Sequence, residues 1–307
     1  MKNFKETAPS GFDNPTVLPS SEKQAVEWQE QNYAWWQNNP MCYNWATPIP
    51  YPESSREFFK EVDDRFFGNS REYLVAKDGT PFAEFVDFAW LQNADVLEIG
   101  VGLGSHAQLL ASHAKSFNGV DITDYAVKNV TERMRIFNVR ATICKMDAEH
   151  LQFTDNSFDF VWSWGVIHHS ANTEHVLQEI RRVLRPGGKA VIMVYHRGWW
   201  NYYVTELLRG ILSGTIFKFK SLNASIQVHT DGALARYYTT NEWKALAQKY
   251  FSVKRALVRG PKSDVVLLPG GSFKGICMRL LPNRINVFLT EKLKMGVFLI
   301  SVIEKEG

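Results

Sequence analysis

The sequence predicts an α/β fold organised around an open, mostly parallel sheet. Three observations carry this. A short apolar run, DVLEI (95–99), enters a glycine-spaced turn, GVGLG (100–104). A helix-length segment comes next, then a second apolar run that ends in an acid, Asp121. From there to residue 196, helical and strand-like hydrophobic periods alternate, the pattern of a parallel sheet with crossover helices.

Val96, Leu97 and Ile99 suit a buried strand. Gly100, Gly102 and Gly104 remove side chains where the chain turns sharply and let a ligand approach the backbone. The helix from Ser105 to Ala114 presents its free N-terminal N–H groups to that turn, and Asp121 is placed for a pair of ribose hydroxyls. The order strand, glycine turn, helix, strand, acid argues for a nucleoside-containing cofactor. The nicotinamide fingerprint is G-x-G-x-x-G and serves a pyrophosphate. Here the spacing is G-x-G-x-G behind Glu98, an acid that would repel a pyrophosphate and suits a ligand carrying a positive centre. Glu98 to Gly104 resembles the first motif of class I S-adenosylmethionine (SAM)-dependent methyltransferases. The resemblance implies a Rossmann-like, seven-stranded sheet and SAM as cofactor, with Ile122 next to the ribose acid.

The 307 residues allow one large domain or a domain with a cap. A composition 45% hydrophobic and 22% charged is that of a packed, soluble protein, and a net charge of +3 gives no reason to expect nucleic acid. Cys42, Cys144 and Cys277 lie far apart and read as free thiols, with no metal site expected. The first twenty residues lack a signal pattern and no apolar stretch reaches the ~20 residues of a bilayer span, so the expected location is the cytoplasm.

Along the chain, 1–21 is rich in Pro, Ser, Asn and Thr and reads as a flexible leader. Residues 22–93 read as a helical, aromatic-rich lid. Ser20 or Ser21 caps a helix running from Glu22 toward Trp36 and stopped at Asn38-Asn39-Pro40. Ser54 opens a second helix with Phe58, Val62, Phe66 and Phe67 on one side, and a third is expected over 81–88. In the family such an extension closes over cofactor and acceptor and excludes water. Tyr33, Trp36 and Trp45 are candidate acceptor-lining residues and Tyr43 a candidate catalytic one, against the plainer reading that these rings cement the extension to the domain. Arg56, Arg65 and Arg71 suit either a substrate acid or surface ion pairs.

The SAM-binding core is expected over 94–196. Val127, Val130, Met134 and Phe137 give the second core helix its apolar face, and a third strand ends in the turn Met146-Asp147-Ala148-Glu149. The resemblance implies that Asp147 accepts from the adenine amino group, with Met146 and Ala148 against the ring and Ser163 also beside the cofactor. Trp162 and Trp164 flank Ser163; one is read as closing the cofactor pocket, and the other as packing beneath a helix. GVIHHS (165–170) falls on the loop beyond the fourth strand, where such sheets place their chemistry. LRPGG (184–188) resembles the family's structural turn before strand five.

A cap insert is expected over 197–240, and 241–307 returns to the sheet with strands near 251–259 and 296–304, the last antiparallel. LLRGILSGTIFKFK mixes apolar and basic residues and could contact a membrane surface through 204–220. A soluble cap that buries its apolar face is preferred, since no spanning segment or lipidation signal accompanies it.

The reading is methyl transfer from SAM to an O, N or C nucleophile of a small organic molecule by in-line substitution, in a monomer or homodimer. His168 and His169 are the candidate bases, with Tyr43, Tyr195 and His196 close behind. Tyr195, His196 and Trp164 are also candidate acceptor contacts. His168 could instead position a helix or touch the methionine moiety, and Glu98 could instead secure the glycine turn. The alternatives are a lipid, protein or RNA acceptor, or a non-catalytic SAM-binding interaction protein.

Overall fold

A computed structural model describes residues 9–44, 47–74, 79–268 and 270–307. Its strands are β1 (Asp95–Ile99), β2 (Ser116–Asp121), β3 (Thr142–Lys145), β4 (Phe158–Trp164), β5 (Leu184–His196), β6 (Tyr237–Tyr238), β7 (Ser252–Arg259) and β8 (Phe298–Glu304). They form one sheet in the order β3-β2-β1-β4-β5-β8-β7, with the two-residue β6 paired to β5. β1 runs parallel to β2 and β4, and β8 lies antiparallel between β5 and β7. The fold is the Rossmann-like, seven-stranded sheet that the resemblance implies, extended by β6.

The helices are α1 (Glu22–Asn38), α2 (Arg56–Ser70), α3 (Phe88–Leu91), α4 (Ser105–Ala111), α5 (Asp124–Phe137), α6 (Thr173–Val183), α7 (Glu206–Leu212), α8 (Thr215–Phe219), α9 (Leu222–His229), α10 (Thr240–Gln248), α11 (Lys262–Val265), α12 (Ser272–Leu280) and α13 (Asn283–Lys292). Two cores hold the layers together. On one face of the sheet α6 and α10 bury Val176, Leu177, Ile180 and Trp243 against Val161, Ile192 and Leu299. On the other, α4 and α5 bury Ala107, Leu110, Val130 and Met134 against Val96, Phe160 and Val191. Each fully buried aliphatic side chain contributes about 1.5–3 kcal/mol of transfer free energy.

Local signals explain most boundaries. Ser21 and Ser55 accept from the backbone N–H groups of Gln24 and Phe58 and so cap α1 and α2. LRPGG bulges from β5: partners jump from Phe158↔Leu184 to Phe160↔Lys189, and Gly187 takes φ 76°.

Four expectations change. The helix over 81–88 is replaced by turns and the short α3, because Pro81 and the positive φ of Phe82 break it and the Asp87 cap starts a helix only at Phe88. Trp162 and Trp164 do not divide between two faces. A strand's period of two puts residues i and i+2 on the same side, and the rings stack 5.2 Å apart at 5°. The described part of the leader is tied down: Phe12 is buried, Trp28 donates its indole N–H to the Ser10 carbonyl (3.1 Å), and Tyr237 N–H donates to Pro15 O (3.0 Å). The apolar stripe of α7 faces outward, with Leu207, Leu208, Ile211 and Leu212 exposed.

Candidate functional site

The glycine turn sits at the carboxyl end of β1. Gly100 has φ 81°, and a Cβ there would lie 2.2 Å from Val166 Cγ2, so the loop after β4 packs directly on the turn. Gly102 has φ 54° with open space beyond it, so its backbone is the part a ligand can approach. Arg133 of α5 props the turn from behind, donating to Leu103 O (2.9 Å) and Gln108 Oε1 (2.8 Å) while pairing with Asp63.

Two carboxylates flank this turn. Asp121 accepts from Gly102 N–H (3.1 Å) through Oδ2, and from Thr123 N–H (3.0 Å) and Oγ1 (2.8 Å) through Oδ1. Burial pushes its pKa up, and these donors, with the N–H of Ile122, pull it back. Oδ1 already accepts two hydrogen bonds and Oδ2 one, so Oδ2 retains a lone pair for a further donor. Glu98 is 1% exposed, and its Oε2 has no hydrogen-bond partner among the described residues. It does not secure the turn through backbone hydrogen bonds. His106 Nδ1 lies 3.8 Å from Glu98 Oε1, but burial and then the Arg133 charge push the His106 pKa down to about 3, which leaves the ring neutral. Burial, together with the Asp121 charge as the second cause, raises the Glu98 pKa well above the ordinary carboxylate value. A buried acid with an orphaned oxygen and no contacting cation among the described residues is a costly arrangement that a positive ligand group would relieve.

At the end of β3, Met146 N–H donates to Asp121 O (2.9 Å), and Met146 and Ala148 pack against the core. Asp147 Oδ1 accepts from Glu149 N–H (2.9 Å) and from Gln29 Nε2 (2.8 Å) of α1, while Gln29 Oε1 accepts from Ala171 N–H (3.0 Å). One side chain therefore ties α1 to both the third-strand turn and the loop after β4. Gln29, Asn32, Tyr33 and Trp36 fall at helical spacing on one face. Asn32 is buried, and its Oδ1 has no partner among the described residues. Trp36 meets His169 edge-on at 5.1 Å. Tyr33 instead donates to Asp124 (2.9 Å), beneath the Lys145 ammonium.

The histidine loop is a short 3-10 turn, Ile167–His169. His168 is fully buried, neither ring nitrogen has a hydrogen-bond partner among the described residues, and its ring centroid lies 4.1 Å from His169 and 4.0 Å from Tyr195. Burial, then the neighbouring His169 and Arg236, hold its pKa well below the ordinary imidazole value. His169 Nδ1 lies 2.7 Å from Leu234 O. Arg236 completes the frame: its backbone N–H donates to His168 O (2.9 Å), and its buried guanidinium donates to the carbonyls of Val17, Ser170 and Ala171. It lies over the rings of Phe12 and Trp28.

Not every candidate converges here. His196 is next to Tyr195 on β5 and so points to the opposite face; its Nδ1 is 2.9 Å from Gly296 O, a contact that joins β5 to the approach to β8. Burial moves its pKa to about 4. Trp164 stacks on Trp162 beside Phe82 and His106, within the aromatic core. Tyr43 packs on Phe66, with burial as the main cause of its raised pKa, and lies within electrostatic reach of Tyr195. Ser163 is buried, its Oγ without a partner among the described residues, and Gly104 abuts Val130 and Arg133. Trp45 lies outside the described residues. Arg65 donates to the carbonyls of Tyr43, Thr47 and Pro48 and so shapes the proline-broken segment. Gln29, Asn32 and Arg236 escape the sequence reading. The spacing of Gln29 to Trp36 could have revealed the first two, whereas no local signal marks Arg236.

The residues fit SAM: a carboxylate with a spare lone pair that a ribose hydroxyl would fill, a glycine backbone open to approach, and an orphaned Glu98 oxygen that a positive group would satisfy. Residues 97–192 match the methyltransferase domain family model. Over 106 residues the chain is 35% identical to phosphoethanolamine N-methyltransferase 2 of Caenorhabditis elegans, covering 34% of this chain and 24% of that one. It is 27% identical to the ubiquinone/menaquinone biosynthesis C-methyltransferase UbiE of Cupriavidus necator (45% of this chain, 62% of that one). With 27-O-demethylrifamycin SV methyltransferase of Amycolatopsis mediterranei it shares 32% identity (32% of this chain, 37% of that one). The chain thus spans less than two thirds of the length of these relatives. Among solved structures, a SAM-dependent methyltransferase from Mesorhizobium loti shares the fold at a TM-score of 0.50 and 13% identity, covering 72% of this chain and 94% of that one. Turn, sheet order and family match agree: residues 97–192 match the methyltransferase domain family, and the sheet has the class I methyltransferase fold, whose enzymes use S-adenosylmethionine.

Proposed function

We propose that the protein transfers a methyl group from SAM to an O, N or C nucleophile of a small organic molecule. The observation that carries this reading is the enclosed cluster of His168 and His169, just beyond β4, with Tyr195 near the end of β5, and with both His168 nitrogens unpaired among the described residues. SAM, when bound, supplies the activated methyl group. The chain's own residues align the acceptor, keep water out and take a proton. In this reading Asp121 holds the ribose, Asp147 the adenine edge and Glu98 the positive end of the cofactor. α1 and residues 197–240 act as lid and cap, and Tyr43, Tyr195 and Trp36 wall the acceptor space. The three relatives carry N-, C- and O-methyltransferase names, which supports the reaction type and leaves the nucleophile open.

The test supplies SAM with panels of small hydroxyl, amine and activated-carbon acceptors, alongside lipid, protein and RNA fractions. S-adenosylhomocysteine release is the readout. Turnover confined to a macromolecular fraction overturns the small-molecule reading. His168→Gln is expected to lower turnover roughly a hundredfold while leaving SAM affinity intact. Because the imidazole is already neutral, the wild-type rate should not fall at the ordinary histidine pKa as pH is lowered. Unchanged turnover in His168→Gln removes the base assignment.

Glu98 adds a pH dependence with a definite sign. Its raised pKa favours the protonated form in the free protein, and a cationic ligand favours the carboxylate. Binding therefore releases a proton, and SAM affinity should rise with pH from the ordinary carboxylate pKa up through the raised one. Calorimetry in two buffers of different ionisation enthalpy measures the release, and Glu98→Gln should abolish it. Identical apparent enthalpies for the wild type would sink the assignment.

A further inference from the structure

The cap and the C-terminal insertion touch each other and have a composition unlike the rest of the chain. α12 exposes Phe273, Ile276 and Leu280, one face of the helix, and buries no residue. α13 is amphipathic in the inverted sense: it buries Asn286 and Thr290 against the domain and exposes Ile285 and Phe288. In the cap, Leu212 is 87% and Phe217 68% exposed, beside the outward stripe of α7. The two segments abut. Trp199, at the start of the cap, donates its indole N–H to Leu293 O (2.8 Å) just after α13, and Trp200 donates to Asp264 O (2.7 Å) in α11.

Charge divides in the same way. Residues 197–229 and 260–295 together hold ten basic and three acidic residues, a net +7 in a chain of net +3, which leaves −4 elsewhere. The acids are engaged internally: Glu206 pairs with Arg209, Glu291 with Arg259, and Asp264 accepts from Val297 N–H. Lys220, Arg279 and Arg284 stand exposed among the apolar side chains. Outward apolar residues ringed by basic ones are the composition of an interfacial helix on an anionic bilayer, where each basic residue near the surface adds attraction. No helix of the described residues is long and apolar enough to cross a membrane, so the contact would be peripheral.

We propose that α7–α8 and α12–α13 form one docking face for an anionic phospholipid surface. Charge complementarity and the inverted amphipathy of α13 carry the proposal, which is independent of the identity of the methyl acceptor. The full-length protein should co-sediment with vesicles of phosphatidylcholine mixed with phosphatidylglycerol, and less with phosphatidylcholine alone or at high salt. The pair Phe273→Glu and Leu280→Glu, and separately Arg279→Glu and Arg284→Glu, should each weaken partitioning roughly tenfold or more. Melting temperature and SAM affinity should be unchanged, because all four side chains are exposed. Leu212→Glu with Phe217→Glu provides a second apolar test within the cap.

Absence of binding to the anionic vesicles overturns the proposal. So does binding abolished by the charge variants but indifferent to both apolar pairs, which would make the face a general polyanion surface. A dimer in light scattering that the apolar substitutions dissolve, without vesicle binding, would assign the face to a second copy of the chain.

Discussion

Asp121→Ala is expected to weaken SAM binding by about 3 kcal/mol, or roughly a hundredfold in Kd. A hydrogen bond to a charged acceptor contributes about 1.5–3 kcal/mol, and a ribose offers two hydroxyls to this carboxylate. The same side chain accepts from Gly102 N–H and from Thr123, so the alanine variant also loosens the turn that approaches the cofactor. Asp121→Asn separates the two effects. It keeps an acceptor for the backbone but loses the charge, and its affinity should fall between wild type and alanine. Titration calorimetry with SAM and with its demethylated product provides the measurement. An alanine variant within about threefold of the wild-type Kd would end the ribose assignment.

Arg236→Met is expected to cost about 4 kcal/mol of stability and to lower the melting temperature by roughly 8 °C. The guanidinium makes no ion pair among the described residues; the carbonyls of Val17, Ser170 and Ala171 satisfy it instead. Methionine fills similar space but leaves those three oxygens buried without donors, at about 1–3 kcal/mol each before relaxation. The loss should be spatially uneven. Residues 9–21 are held through Val17 O, Phe12 against Trp28, and Asn223 donating to Phe12 O, so limited proteolysis should cut there first. SAM affinity should change less than stability, because Arg236 touches the histidine loop and not the glycine turn. A melting temperature within about 2 °C of wild type would refute this role for the guanidinium.

The stretch from Asp95 to Asp121 was legible because each of its signals is local. Apolar residues that must be buried mark β1 and β2. Glycines occur where φ is positive or a Cβ would strike a neighbour, as Gly100 would strike Val166. The acids sit where a strand ends. Helix boundaries with a serine or threonine cap were equally readable, since the cap and the N–H it accepts lie three residues apart. These features determined the fold class, the cofactor and the two carboxylates that flank the glycine turn.

Tertiary structure alone decided which distant residues meet. Gln29 reaches Asp147 across 118 positions and Arg236 reaches Val17 across 219, contacts that no local period encodes. It also separated Tyr195 from His196, adjacent in sequence but on opposite faces of β5, so that one joins the histidine cluster and the other pins β5 near Gly296. Apolar stripes reveal amphipathy but not which side the fold turns inward. α6 buries its stripe under the sheet, whereas α13 seats Asn286 and Thr290 on the domain and leaves Phe288 in solvent. A helix docks by whichever face its neighbours can satisfy, here through Asn286 donating to the carbonyls of Glu72 and Gly260. That choice belongs to the assembled molecule.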